Sequence, residues 1–205
     1  KGILSQDEAR KNGIGGKLLA YVYWGEKQMK LPELKKEIKI PENVTVTMEN
    51  DTITVKGEKG ELSRKFSHPR LDIKISDGKI IIISKNVRRK QKALIGTFEA
   101  HLRNMIKGVS KGFEYEMKTV FSHFPIKTSV EDDFFVIQNF LGERSPRKAK
   151  ILEGVKVESK GEDVKVSGID KEKVGQTVAN IERATAVKRR DIRVFQDGVY
   201  RISRG

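Results

Sequence analysis

Two stretches of the chain concentrate side chains that bind anions. In LGERSPRKAK, residues 141–150, Arg144, Arg147, Lys148 and Lys150 are set against Glu143. A guanidinium grips phosphate through paired N–H bonds and also stacks on bases, so arginine is the more informative cation here. In residues 168–200, GIDKEKVGQTVANIERATAVKRRDIRVFQDGVY, Lys173, Gln176, Thr177, Asn180 and Arg183 are followed by Lys188, Arg189, Arg190 and Arg193, with Asp191 as a nearby offset. Small polar side chains and free N–H groups near a helix N-terminus suit a phosphate or a ribose hydroxyl. The chemistry is binding of a polyanion. A solvated basic loop beside a solvated helix face gives the same pattern, and the residues alone leave both readings open.

Bond-making chemistry has no comparable support. His68, His101 and His123 are scattered, with no cysteine and no second ligand at metal spacing. Glu131, Asp132 and Asp133 fall in a turn, where adjacent side chains point different ways, so general acid and base work is not expected of them. Serines and threonines lack a nucleophile-elbow context. Lys56-Gly57-Glu58-Lys59-Gly60 lacks phosphate-loop spacing. The expectation is a protein with no catalytic residue, no metal, no cofactor and no small-molecule substrate.

Bulk composition points to the same class of partner. The 205 residues carry a formal net charge of +14, an excess that draws in phosphate backbones or anionic surfaces. No apolar run approaches the roughly 20 residues of a membrane span, and no long amphipathic helix with a bulky apolar face is evident, so nucleic acid is favoured over membrane. The absence of cysteine fits a reducing cytoplasm.

The elements that must position these residues can be read in order. Residues 7–12 form a short polar helical pattern broken by Gly13-Ile14-Gly15-Gly16, and 18–24 are a β-prone apolar run. Residues 44–48 and 52–56 alternate around Glu49-Asn50-Asp51, a hairpin signal. Further strands are expected at 62–66, 71–75 and 79–84, with a turn at Ser76-Asp77-Gly78. Residues 85–92 hold cations and no anion, either a second patch for a polyanion or a solubilising edge. Residues 93–106 read as a helix with Leu94, Phe98, Leu102 and Met105 on one stripe and Gly108 as its stop. Strands follow at 113–121 and within 126–140. Asp170 is an N-cap candidate for a second helix whose apolar stripe is Val174, Val178 and Ile181, and Gln196-Asp197-Gly198 reads as a turn.

An internal repeat organises these elements. VTVTMENDTITVKG, residues 44–57, aligns without gaps on VKVESKGEDVKVSG, residues 155–168; GTFEAHL from Gly96 aligns on GQTVANI from Gly175. The first copy has a much longer stretch between hairpin and helix, so the second must draw strands from 113–140, ahead of its hairpin. The expected fold is α+β, two tandem duplicated domains, each a small antiparallel sheet packed with one helix. The boundaries are 1–30 for an extension, 31–110 for the first repeat and 111–205 for the second, with its basic tail. Gly175 and Ala179, matched by Gly96 and Ala100, read as close helix packing on the sheet.

IPENVTVTMENDTITVKGEKGEL, GTFEAHLRNMIKGVSKGFEYEMKTVFSHFP, NFLGERSPRKAKI, GIDKEKVGQTVANIE and RVFQDGVY resemble, in order, the blocks of large-subunit ribosomal protein L-six of the archaeal and eukaryotic type. The resemblance covers about residues 29–205. It implies two similar α/β domains bound to large-subunit rRNA beside the sarcin–ricin loop, near the translational GTPase site and the stalk base. It further implies neighbouring large-subunit proteins as partners, possible contact with those GTPases, a cytoplasmic ribosomal location, rRNA contacts mainly in the C-terminal domain, and no catalysis. An extra-ribosomal nucleic-acid-binding module is the alternative.

Residues 1–23 resemble instead the C-terminal tail of small-subunit ribosomal protein S-eight. This leaves either a fused extension or a gene start placed inside a neighbouring gene, with a mature N-terminus expected at or near Met29.

Overall fold

The computed structural model describes residues 6–16, 31–76 and 78–204. Residues 1–30 and 31–205 are two separate units. In the first, helix α1 (Gln6–Lys11) stops ahead of Gly13, whose φ of 62° suits the glycine found there. The apolar run at 18–24 and the expected start at Met29 lie outside the described residues.

The second unit runs β1 (Leu31–Lys39), β2 (Thr45–Glu49), β3 (Thr52–Gly57), β4 (Gly60–Lys65), β5 (Asp72–Ser76), β6 (Lys79–Val87), α2 (Arg89–Ser110), β7 (Phe113–Val120), β8 (Lys127–Glu131), β9 (Phe134–Gln138), β10 (Arg147–Lys150), β11 (Val155–Lys160), β12 (Asp163–Gly168), α3 (Lys171–Ala184) and β13 (Gly198–Arg204). The sheets are ordered β1-β6-β5, β2-β3-β4, β10-β9-β8 and β11-β12-β7-β13, and the pairings are antiparallel. This is the α+β, duplicated architecture expected from the repeat.

The two copies share a plan with a different chain path. Hairpin β2-β3 plus β4 corresponds to β11-β12 plus β7, and β1-β6-β5 corresponds to β10-β9-β8. In the first copy three strands follow the hairpin; in the second, β7, β8 and β9 precede it. The tight turn where Gly57 pairs Gly60 has its counterpart where Gly168 pairs Phe113, residues that no hairpin joins. The expectation that the second repeat recruits strands from 113–140 is therefore met.

Period-2 alternation builds each sheet. Along β7 every second residue from Phe113 is buried, and β3 buries Ile53 and Val55. The hairpin between β2 and β3 closes at Asn50 and Asp51, with φ of 44° and 63°, a left-handed pair that Asn and Asp tolerate. Two cores result. One gathers Ile53, Val55, Ile80, Ile82, Ile95 and Leu102 under α2; the other gathers Met117, Phe135, Ile137, Val164, Val178 and Ile181 under α3. Each fully buried side chain of this size contributes about 1.5–3 kcal/mol.

Several local expectations change. Helix α2 is longer than 93–106, because Arg89 to Lys92 form its first turn, and Gly108 lies inside it instead of stopping it. A Cβ on Gly108 would stand 2.1 Å from the Ile169 carbonyl oxygen, so this glycine is one place where the two repeats touch closely. The reversal after α2 comes at Gly112, with a φ of 77°. Gly96 and Gly175 are not packing glycines: an added Cβ would meet nothing within 4 Å at either. The turn expected at 196–198 forms instead at 192–194, and Gly198 opens β13. Strands β1, β10 and β13 were not expected; the first two each precede a hairpin and are so rich in Lys, Glu and Arg that charge hides their alternation.

Candidate nucleic-acid interface

Helix α3 starts where Asp170 takes an extended conformation and its carboxylate accepts the Glu172 N–H at 2.9 Å. Such a cap is worth about 1 kcal/mol. Val174, Val178 and Ile181 are buried as expected. That orientation leaves Lys173, Gln176 and Arg183 exposed, with half-buried Asn180 between them, on one stripe of the helix.

Strand β10 lies along this helix. The Asn180 side-chain amide donates to the Lys150 carbonyl at 3.0 Å, and the Gln176 amide donates to Asn180 Oδ1 at 3.0 Å. Because Ala149 points into the core, Lys148 and Lys150 point outward from the strand flanking the stripe. Arg144 is exposed in the loop ahead of the strand.

Arg147 has a different role from the one its sequence suggests. Its Nε and Nη2 donate to the two Glu143 carboxylate oxygens at 2.8 and 2.6 Å, and its Nη1 donates to the carbonyls of Ala184 and Ala186 at 2.9 and 3.1 Å. The guanidinium also lies 4.2 Å from the centroid of Phe140. Its hydrogen bonds are taken up by Glu143 and by the C-terminal end of α3, so it is not a free phosphate ligand. The side-chain bonds from Arg147 are the main cause holding the Glu143 carboxyl below its ordinary pKa, against desolvation, with smaller attractions from Arg147 and Arg190.

Thr177 also leaves the candidate surface. It is fully buried; its hydroxyl donates to the Lys173 carbonyl at 2.9 Å and accepts the Leu152 N–H at 3.3 Å. It holds the end of β10 to α3.

Beyond α3, Lys188, Arg189, Arg190 and Arg193 are exposed. Arg189 has a φ of 59°, a left-handed conformation that costs a non-glycine residue about 1 kcal/mol. Arg190 lies 4.9 Å from the centroid of Phe195, whose ring stacks on His123 at 4.8 Å. Arg193 folds back on Asp191, with Nη2 to Oδ2 at 3.0 Å, which lowers the Asp191 pKa through that side-chain bond first. This loop is anchored by Asp197, 1% exposed, whose carboxylate accepts the Ser122 N–H at 3.1 Å and hydroxyl at 3.0 Å and the His123 N–H at 3.5 Å. Burial pushes the Asp197 pKa up, but the bonds from Ser122 and His123 together bring it below the ordinary value. Asp197 and Phe195 carry no charge-run or motif signal; only their place after the basic run marks them.

Strand β13 completes the construction. The Val199 N–H donates to Thr185 Oγ1 at 3.1 Å and the Arg201 N–H to Glu182 Oε1 at 3.2 Å, which fastens the added strand to α3. The structure thus brings Lys148, Lys173, Gln176, Asn180 and Arg183 onto one surface, with Arg144 and the 188–193 loop set at the strand and helix ends. Among the described residues, no cluster of three His, Cys, Asp or Glu could hold a metal, and no helix is long and apolar enough to cross a membrane.

Comparison with known proteins agrees with this architecture. The family model described as Ribosomal protein L6 matches residues 40–112 and 124–198, one segment in each repeat. Large ribosomal subunit protein uL6 of Methanobrevibacter smithii is 53% identical over 171 residues, covering 83% of this chain and 96% of that protein. The uL6 proteins of Methanosarcina mazei and Aeropyrum pernix are 49% and 51% identical, covering 82% and 80% of this chain and 96% and 90% of their own lengths. With matches of that extent in both repeats, the chain belongs to the ribosomal protein L6 family.

Proposed function

We propose that this protein is a structural constituent of the large ribosomal subunit in the cytoplasm, holding rRNA through the second repeat, residues 111–205, with residues 31–110 as a companion domain. The observation that carries the reading is the joined surface of β10 and α3. There Lys148, Lys173 and Arg183 extend outward beside the Gln176 and Asn180 amides on a rigid frame. Cations set the protein on phosphates, and the amides reach ribose or base edges, so shape is read more than sequence. Arg144 and the 188–193 loop extend the same surface. An arginine held at positive φ in that loop fits a side chain kept for its charge.

The position we assign is beside the sarcin–ricin loop, close to the stalk base and its neighbouring proteins and to the site where translational GTPases dock. The protein acts there by holding RNA, without chemistry of its own. Two measurements test this. After a high-salt wash the protein should still co-sediment with large subunits, and chemical footprinting should find the sarcin–ricin region protected. Loss in the wash would favour a loosely held, extra-ribosomal nucleic-acid-binding module; protection confined to another rRNA region would overturn the assigned position.

A further inference from the structure

A second concentration of cations lies where the two repeats meet. A cleft of about 360 Å³ is lined by Lys59, Lys111, Lys156, Ser167, Phe113 and Ile169, with open space beside Gly154 and the Lys59 side chain lying over Gly112. Outside the lining itself, Lys107 and Lys171 hold their ammonium groups 5.2 and 5.7 Å from the centroid of the ring of Phe113, a buried lining residue. Two of these lysines, Lys59 and Lys107, come from the first repeat and three from the second.

Counter-charge in the cleft is sparse. Glu114, the one carboxylate in its lining, is already bonded to Lys165 at 3.1 Å. Lys156 has only an exposed pair with Glu158 at 2.7 Å, and Lys59 is turned onto the Lys111 carbonyl. Lys107, Lys111 and Lys171 form no ion pair among the described residues. Packing cations this closely at a junction opposes folding through self-repulsion unless an anion joins them.

The chemistry selects the partner. The apolar side chains in its lining are Phe113, which is buried, and Ile169, which packs against the first core, so the cleft lacks the exposed apolar centre of a protein interface. Lysines are mobile point charges, and the open wall at Gly154 admits a close-running backbone. We infer that this seam takes the sugar–phosphate backbone of an rRNA strand, making one RNA contact that spans both repeats. The inference rests on the rRNA-binding reading above and adds a site that the basic run and α3 do not supply. The contact is with phosphate and carries no sequence preference.

The test uses the full chain and purified large-subunit rRNA. Lysine acylation followed by mass spectrometry, with and without the RNA, should show Lys107, Lys111 and Lys156 slowed at least about threefold by bound RNA. The variant K107Q/K111Q/K156Q, all exposed positions, should flatten the salt dependence of binding by about two charges at the expected 0.7–0.9 per contact. If the wild type binds rRNA but these lysines react unchanged, or the folded variant keeps the full salt slope, the seam contact is wrong and the face on α3 stands. If the wild type does not bind rRNA at all, the rRNA reading itself fails and takes the seam with it. Should the variant misfold, the protection pattern of the wild type still decides.

Discussion

Asn180 on helix α3 donates its side-chain amide to the Lys150 carbonyl of strand β10 at 3.0 Å, and so joins the two stretches whose composition first suggested anion binding. Separated by a hairpin in sequence, they are one surface in the fold. Replacing Asn180 with Ala should therefore loosen the register of β10 against α3 as well as remove a polar group from the face. Amide exchange at Ala149 and Lys150 should quicken, and unchanged exchange would show that other contacts set the register.

Arg147 belongs to the frame of this surface. Lysine keeps the charge but cannot hold Glu143 with a fork while also reaching the Ala184 and Ala186 carbonyls. Arg147→Lys should cost about 2–3 kcal/mol, lowering the melting temperature on the order of 5–10 °C for a chain of this size. The salt slope of rRNA binding should hardly change. A stable variant with weakened, flatter binding would return Arg147 to the list of RNA contacts.

Two glycines at helical positions should respond in opposite directions. Gly108→Ala drives a methyl into the Ile169 carbonyl and should destabilise by about 3 kcal/mol. Gly175→Ala meets nothing and should stabilise the free protein by about 0.5–1 kcal/mol through helix propensity. Denaturant melts of the two variants check both signs; destabilisation by Gly175→Ala would restore the packing role expected from the repeat.

The anchor at Asp197 gives a pH signature. Its folded pKa lies below the ordinary carboxylate value, so its ionised form stabilises the fold, fully above about pH 4 to 5, and that contribution fades as pH falls through the lowered pKa. Asp197→Ala should cost about 2 kcal/mol near neutral pH by leaving the Ser122 and His123 donors unpaired. The gap from wild type should begin to narrow below about pH 4 and go on narrowing as pH falls through the lowered pKa. A gap independent of pH would mean that packing, not charge, is what Asp197 supplies.

Legibility in the sequence followed the strength of each periodic signal. Hairpins β2-β3 and β11-β12, helices α2 and α3 and the displaced strands of the second repeat were readable because apolar period and repeat register agreed. Strands β1 and β10 were hidden because only one side of each is buried and the other is charged. Gly96 and Gly175 misled because recurrence in both copies looks like packing even where the space beside them is open. At the candidate site, the exposure of Lys173, Gln176 and Arg183 followed directly from the stripe of Val174, Val178 and Ile181. The attachment of Arg147 to the end of α3 and the burial of Thr177 depend on partners far along the chain, which composition cannot reveal.

The most direct measurement is the salt dependence of rRNA affinity for a variant with Arg144, Lys148, Lys173, Arg183, Lys188 and Arg190 all changed to Gln. Each of these side chains is exposed on or beside the β10 and α3 surface. The variant should fold, with a salt slope flatter by about four charges or more and affinity reduced by at least about a hundredfold at low salt. An unchanged slope and affinity would contradict rRNA binding through this surface.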